Sequence, residues 1–288
     1  MTAQFLAGAP VAEAVLVDVT ERVAKLAAAD VAVGLGTILV GDDPASASYI
    51  RKKHETCERV GIHSPHRQLP NDASQADVVA AIKAFNDDPT IDAMLVQHPL
   101  PKGLDYNSAL LAMDPEKDAD GLHPTNMGKL AVGAPGPIPC TPAGIKAMLQ
   151  HYGVETSGKH VVVMGRGTTL GRPVSLLLSQ KADGANAAVT VVHTGVPDWA
   201  DYTRQADIVI AAVAVPNIIK AEHVRPGAVV VSGGITWEGK KLLADVDDSV
   251  NEVASWVTPR LGGVGPTTVA MLLRNTVEAA ERRHAALQ

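Results

Sequence analysis

Ser46-Ala-Ser-Tyr49-Ile-Arg-Lys-Lys53 places a phenol and an amine four residues apart, on one face of any helix that spans them, where their side chains can meet. A pair of this kind can bind a substrate and activate it. Because Arg51, Lys52 and Lys53 are consecutive, the competing reading is a solvated lysine on an amphipathic helix. Three further stretches bear on the choice. Leu95-Val-Gln97 ends a predicted strand, where polar side chains of open α/β sheets project into the ligand crevice. Pro115-Glu-Lys-Asp118-Ala-Asp120-Gly-Leu-His123 supplies carboxylates in an irregular loop, with Asp118 read as a loop-stabilising neighbour of Asp120. Gly262-Gly263-Val-Gly265-Pro266 supplies a flexible backbone before the last helix. Any one of these alone is compatible with ordinary loop chemistry.

A second chemical feature lies far along the chain. Val161-Val-Val-Met-Gly165-Arg166-Gly167-Thr-Thr-Leu-Gly171-Arg-Pro173 joins an apolar strand to a helix through three glycines. Glycines permit a tight turn, and the helix N-terminus offers unpaired N–H groups and partial positive charge to a pyrophosphate. The spacing is G-x-G-x-x-x-G rather than G-x-G-x-x-G, so a ligand-free Gly-rich turn competes with a dinucleotide site. The next strand ends Val191-Val192-His193-Thr194 without the carboxylate that NAD-selective sites place there to bind ribose hydroxyls. Together with Arg166, which can meet a ribose phosphate, this points to NADP, with NAD as the alternative.

His54, His63, His66, His123 and His193 are scattered without metal-ligand spacing and read as surface or structural residues. Cys57 and Cys140 are isolated thiols, so neither a disulfide framework nor a zinc site is signalled, and both read as inert.

The elements that must position these residues alternate. Apolar spacing predicts a helix over 11–28, a strand over 33–41, a helix over 45–60, a strand over 66–69, a helix over 74–86 and a strand over 93–97. Residues 114–142 are rich in Pro and Gly, and Gly133-Ala-Pro-Gly-Pro-Ile-Pro139 cannot sustain a regular element, so the domain linkage is expected there. A second series follows: a helix over 142–152, strand 160–164, helix 170–180, strands 188–193, 208–213 and 228–231, and a long helix from Val269 to Leu287. The expected class is α/β with two lobes.

Composition agrees with that class. Of 288 residues, 46% are hydrophobic but only 3% aromatic, so the core must be built from Val, Ala, Leu and Ile, as in buried parallel strands. A net charge of −6 with no long basic run argues against nucleic acid. No stretch approaches the ~20 apolar residues of a membrane span, and the opening lacks a basic leader ahead of a continuous apolar run, so a cytoplasmic protein is expected.

Taken together, the segments resemble the bifunctional methylenetetrahydrofolate dehydrogenase/cyclohydrolase family over nearly the whole chain. The carriers are Val40-Gly-Asp-Asp-Pro-Ala-Ser46 running into Tyr49-Ile-x-x-Lys53, Val96-Gln97-x-Pro-Leu-Pro101, Lys117-Asp-Ala-Asp120-Gly, Pro139-Cys-Thr-Pro142, Gly165-Arg166, and Gly262-Gly-Val-Gly-Pro266 leading into Thr-Val-Ala-Met-Leu-Leu. The resemblance implies oxidation of 5,10-methylenetetrahydrofolate to the methenyl form with NADP, then hydrolysis to 10-formyltetrahydrofolate. It implies that Lys53 is the cyclohydrolase base and helps align substrate, that Tyr49 packs against the folate, that Gln97 hydrogen-bonds near Lys53 and that Asp120 anchors the pterin. Gly262, Gly263 and Pro266 would also contact substrate; Gly165, Arg166, Gly167, Thr194 and Ile235 would hold the dinucleotide. The implied architecture is an N-terminal α/β folate lobe, 1–141, with the C-terminal helix 267–288 packed back on it, and a Rossmann-like NAD(P) lobe, 142–266, containing a parallel sheet. A homodimer is the implied assembly.

Departures from the family pattern cluster in the second lobe: Gly167 stands for the usual Ser, Ala214-Val215 for Gly-Lys, Ser232-Gly-Gly-Ile235-Thr236 for Asp-Val-Gly-Ile-Asn, and Arg260-Leu261 for an apolar-Pro pair. His98 follows Gln97 where Leu is usual. The alternatives these leave are a cyclohydrolase with weak or NAD-dependent dehydrogenase activity, and a non-catalytic folate or dinucleotide binder.

Overall fold

A computed structural model describes residues 2–238 and 241–286. In chain order the elements are β1 (Gln4–Phe5), α1 (Gly8–Ala28), β2 (Leu35–Val40), α2 (Pro44–Val60), β3 (His66–Leu69), α3 (Gln75–Asp87), β4 (Ala93–Val96), α4 (Tyr106–Ala112) and α5 (Pro124–Val132). There follow α6 (Cys140–His151), β5 (His160–Met164), α7 (Gly171–Ser179), β6 (Ala188–Val192), α8 (Trp199–Thr203), β7 (Ile208–Ala211), β8 (Val229–Ser232), β9 (Ile235–Glu238), β10 (Lys241–Ala244), β11 (Trp256–Val257) and α9 (Val264–Ala286).

Two expectations need correction. Within the Pro- and Gly-rich stretch, α5 forms because Pro124 occupies a first-turn position, the His123 side chain accepts from Thr125 N, and Gly133 closes the helix at φ 70°. Residues 118–123 before it and 133–139 after it lack regular structure. The last helix starts at Val264 instead of Val269, since a proline in the first turn, here Pro266, has no intrahelical bond to lose; its expected end at Leu287 lies outside the described residues.

The chain divides into two compact units. One holds the chain up to Ala12 with Pro139–Thr268, the other Glu13–Ile138 with the chain from Val269 onward. The first contains a six-stranded sheet, ordered β1-β11-β8-β7-β5-β6, in which every neighbouring pair is parallel. Its central strands β5, β7 and β8 are buried and largely apolar on both faces, as a sheet covered on both sides requires. Val161, Val163, Ile208 and Ile210 pack with Ile145 and Met148 of α6 and Val174 of α7, whereas Val162, Met164, Val209 and Ala211 pack with Ile219, Val224 and Val250. From β5 the chain steps to β6 on one side and then to β7 on the other, which opens a crevice at the carboxyl ends of β5 and β7. An antiparallel hairpin, β9–β10, lies outside this sheet.

The second unit has a parallel three-stranded sheet, β3-β2-β4. Ile38, Val40, Met94 and Val96 pack on Val78, Ile82 and Phe85 of α3. Ser74 and Asp77 form a capping box that starts α3. Arg22 of α1 grips Glu281 of α9 in a two-pronged pair, Nε–Oε1 2.9 Å and Nη2–Oε2 2.6 Å. Arg283 of α9 reaches the fully buried Asp92 carboxylate, 2.5 Å away, whose other oxygen accepts from Gly34 N. Among the described residues no helix is long and apolar enough to cross a membrane.

Candidate active site

Lys53 owes its position to α2. Asp43 caps this helix, accepting from Ser46 N at 2.8 Å, and Pro44 fits the first turn. The buried stripe is Ser46, Ile50, Lys53, Cys57 and Val60, so Lys53 shares the apolar face, while Arg51 and Lys52 point to solvent. The solvated-lysine reading fails here. A buried ammonium or amine requires a partner, and Nζ donates to Gln97 Oε1 at 2.9 Å. Gln97 is fixed in turn: its N–H extends the ladder to Ile38 O, and its Nε2 donates to the His98 carbonyl at 2.7 Å. With the amide nitrogen so engaged, the amide oxygen has to face the lysine. Tyr49 stands one turn before Lys53 with 40% of its surface exposed, available to a ligand.

Asp120 is set by its neighbours. Ala119 N donates to Met94 O, tying the loop beside β4. Asp118, buried, accepts from Gly121 N, His123 N and Asn126 Nδ2 at 3.0, 2.7 and 3.0 Å, so it organises the loop. Asn275 of α9 donates to Ala119 O at 2.9 Å, and Lys117 Nζ donates to the Phe85, Asn86 and Asp88 carbonyls at the end of α3. Asp120 itself is part-buried; loss of solvent raises its carboxyl above the usual carboxylate range, the Lys53 charge opposes that shift and Asp118 adds to it. Lys53, Gln97 and Asp120 thus form one electrostatically coupled group.

Sequence reasoning missed the Tyr106 contribution. The Tyr106 ring meets His98 edge-on at 4.9 Å, and burial, then Asp120 and Asp118, push its hydroxyl upward, so the phenol stays protonated. Burial lowers His98, leaving a neutral imidazole. Behind Lys53 runs a directional chain: Ser64 Oγ, His54, Thr37 Oγ1, His66, Gln68 and the Gly41 carbonyl. Gln68 Oε1 can only accept and Thr37 has one proton, so with both rings neutral the proton sits on Nε2 of each imidazole. These histidines brace the turn that launches α2.

In the six-stranded unit, Gly165 follows β5 at φ 114°, and a Cβ there would stand 2.3 Å from Ala212 O. A Cβ on Gly171 would meet Gly165 O at 2.3 Å, whereas Gly167 has open space. Arg166 and Gly167 are exposed on the turn that leads into α7, Thr194 is exposed just after β6, and Ile235 begins β9. This is a backbone cradle a side chain would fill, at a helix start, and it fits a pyrophosphate. Gly262, Gly263 and Pro266 lie at the start of α9 within this unit; Gly262 has φ 74° and its carbonyl accepts from Gly8 N.

The catalytic-domain model of tetrahydrofolate dehydrogenase/cyclohydrolase matches residues 6–120, and the NAD(P)-binding-domain model of the same enzymes matches residues 139–284. The chain belongs to the tetrahydrofolate dehydrogenase/cyclohydrolase family. Bifunctional protein FolD of Syntrophotalea carbinolica is 63% identical over 98% of both chains. Among solved structures, bifunctional FolD from Campylobacter jejuni is 37% identical with TM-score 0.93, over 98% of this chain and 99% of that one. The Trypanosoma brucei FolD complexed with NADP cofactor and inhibitor is 35% identical with TM-score 0.92, over 99% of each. The α/β fold of this dehydrogenase/cyclohydrolase, with its parallel nucleotide-binding sheet, is thereby shared across the family.

Proposed function

We propose that the protein oxidises 5,10-methylenetetrahydrofolate with NADP and hydrolyses the methenyl product to 10-formyltetrahydrofolate, with the chemistry centred on Lys53. The carrying observation is the buried Lys53 amine held by Gln97 Oε1. Asp120 anchors the pterin, with Tyr49 supplying a ring face, so that the bridging carbon meets Lys53. Gly165, Arg166, Gly167, Thr194 and Ile235 hold the dinucleotide, and Gly262, Gly263 and Pro266 complete the folate contacts. Bound NADP supplies the hydride acceptor. Since the pterin nitrogens carry the cation left behind, the protein's task in the first step is alignment.

The second step needs proton transfer. Water adds to the methenyl carbon and loses a proton to the Lys53 amine; the resulting carbinolamine opens by breaking the bond to N5, which takes a proton back from the Lys53 ammonium, while the adduct's hydroxyl gives up its proton to solvent as the formyl C=O forms. Gln97 keeps Nζ aimed throughout. A homodimer in the cytoplasm is the setting we propose: the family resemblance supports the dimer, and two reduced, buried thiols suit a reducing compartment. A solution mass of twice 30.0 kDa tests the assembly.

The deciding assay supplies methylenetetrahydrofolate with NADP or NAD and follows nicotinamide reduction and methenyl absorbance separately. Reduction with NADP followed by methenyl decay is expected. No reduction with either nucleotide would remove the dehydrogenase half, and a methenyl signal decaying no faster than in buffer would remove the hydrolase half.

A further inference from the structure

Asp245, directly after β10, is 1% exposed, and among the described residues its carboxylate is met by backbone N–H groups. Oδ2 accepts from Val213 N at 3.0 Å and Oδ1 from Val215 N at 2.8 Å; the N–H groups of Ala214 and Gly234 also favour its charge against the burial that raises it. A Cβ on Gly234 would stand 2.0 Å from Oδ2 and 2.6 Å from Ala214 N. One carboxylate therefore gathers the exits of β7 and β8. The β7 exit also meets the Gly-rich turn, since a Cβ on Gly165 would fall 2.3 Å from Ala212 O and 3.2 Å from Val213 Cγ1. It is a wall of the crevice where the strand order reverses.

The same loop is held from its other side. Thr236 Oγ1 donates to Ala214 O at 2.8 Å, and Ala214 sits at φ 54°, a left-handed conformation that is unfavourable for an L-residue. A strained alanine stays in that conformation when its surroundings determine it, and the Asp245 carboxylate and Thr236 hydroxyl do so. Arg166 and Thr194 lie on the β5–β6 side, which suits the phosphorylated adenosine half; the β7–β8 side is left for the nicotinamide half.

We infer that Asp245 is a positioning residue for the nicotinamide half of the dinucleotide, acting through the loops it fixes at the exits of β7 and β8. The inference rests on the dinucleotide reading of this unit. Hydride transfer depends on ring placement, and small displacements cost orders of magnitude in rate. Binding of the adenosine half and hydrolysis at Lys53 do not depend on it. In Asp245→Asn an amide N–H2 replaces one acceptor and confronts a backbone N–H, so the loops must part.

The test compares wild type, Asp245→Asn and Gly234→Ala, the last expelling the carboxylate by its Cβ. Three kinds of measurement are made on folded protein: kcat for NADP-linked oxidation, nucleotide-free methenyl hydrolysis, and nucleotide affinity by calorimetry, with 2′,5′-ADP and with NADP. The expected result is a fall of about tenfold or more in oxidation kcat, with hydrolysis and 2′,5′-ADP affinity within about twofold of wild type in either variant that folds. Parallel losses in all three, unchanged oxidation, or failure of both variants to fold would overturn it, the last because Asp245 would then only hold the unit together. If wild type itself oxidises nothing, the enzymatic reading falls; the inference then stands only if the variants lose the affinity NADP has beyond 2′,5′-ADP, and falls if they keep it.

Discussion

The Asp120 carboxyl shows what the site costs the fold. Its native pKa lies above the ordinary value, chiefly through desolvation, so the native state holds the proton more tightly than the unfolded chain. Its contribution therefore favours folding below the unfolded pKa of about 4 and is lost as pH rises through the native value. Asp120→Asn should raise the melting temperature at neutral pH, lose that gain below about pH 4, and weaken folate binding; thermal melts at the two pH values with KM for methylenetetrahydrofolate check all three. Gly167 offers an opposite opportunity. Space around it is open and its φ is not left-handed, so Gly167→Ser restores the hydroxyl usual in the family without a clash. NADP should bind more tightly by about 1 kcal/mol, roughly fivefold, with NAD little changed; equal gains for both would place the hydroxyl away from the ribose phosphate. Burial pushes the Cys57 thiol up to about 12, so it should resist iodoacetamide in native protein at neutral pH and react once unfolded. Lys53 was half legible in sequence. Its spacing from Ser46, Ile50, Cys57 and Val60 matches an apolar stripe, but two adjacent basic residues concealed it. Asp245 was not legible, because its partners are backbone N–H groups some thirty residues upstream and carry no side-chain signature.

At the scale of elements, the long strands and helices could be read because each keeps its own period. Strand His160–Met164 agrees end to end with its apolar run, and Ser74 marks α3 through its reciprocal bonds with Asp77. The short elements could not: β1 pairs with β11 across some 250 residues with two residues each, a tertiary fact without local pattern. The link between α3 and the site loop is likewise long-range. Lys117 places one ammonium on three carbonyls at the end of α3, at 3.0, 2.8 and 2.9 Å, of which that of Asp88 also accepts from Ile91 N. Lys117→Met keeps the stem but strands the Phe85 and Asn86 carbonyls, and should destabilise by about 2–3 kcal/mol in urea melts, loosening the loop that bears Asp120. A loss below 0.5 kcal/mol would mean that solvent replaces the lysine without penalty.

At the scale of the whole molecule, α9 closes the three-stranded unit from the far end of the chain. Within that unit the Arg22–Glu281 pair ties α9 to α1, and the Arg283–Asp92 pair ties it to the residue before β4. Asp92 is fully buried and also accepts from Gly34 N. Removing Arg283 abandons a buried carboxylate, so Arg283→Ala should cost about 3–5 kcal/mol, whereas Asp18→Ala, at an exposed pair with Arg22, should cost under about 1 kcal/mol. Both activities would then fail together on warming, as the unit melts. A loss confined to one activity is a different signature and belongs to the site. Lys53→Ala supplies the most direct measurement of this kind: the rate of methenyltetrahydrofolate decay with the folded variant, compared with wild type and with buffer. Lys53 as the base predicts decay reduced to the buffer rate while 2′,5′-ADP still binds as in wild type; decay at the wild-type rate would contradict it.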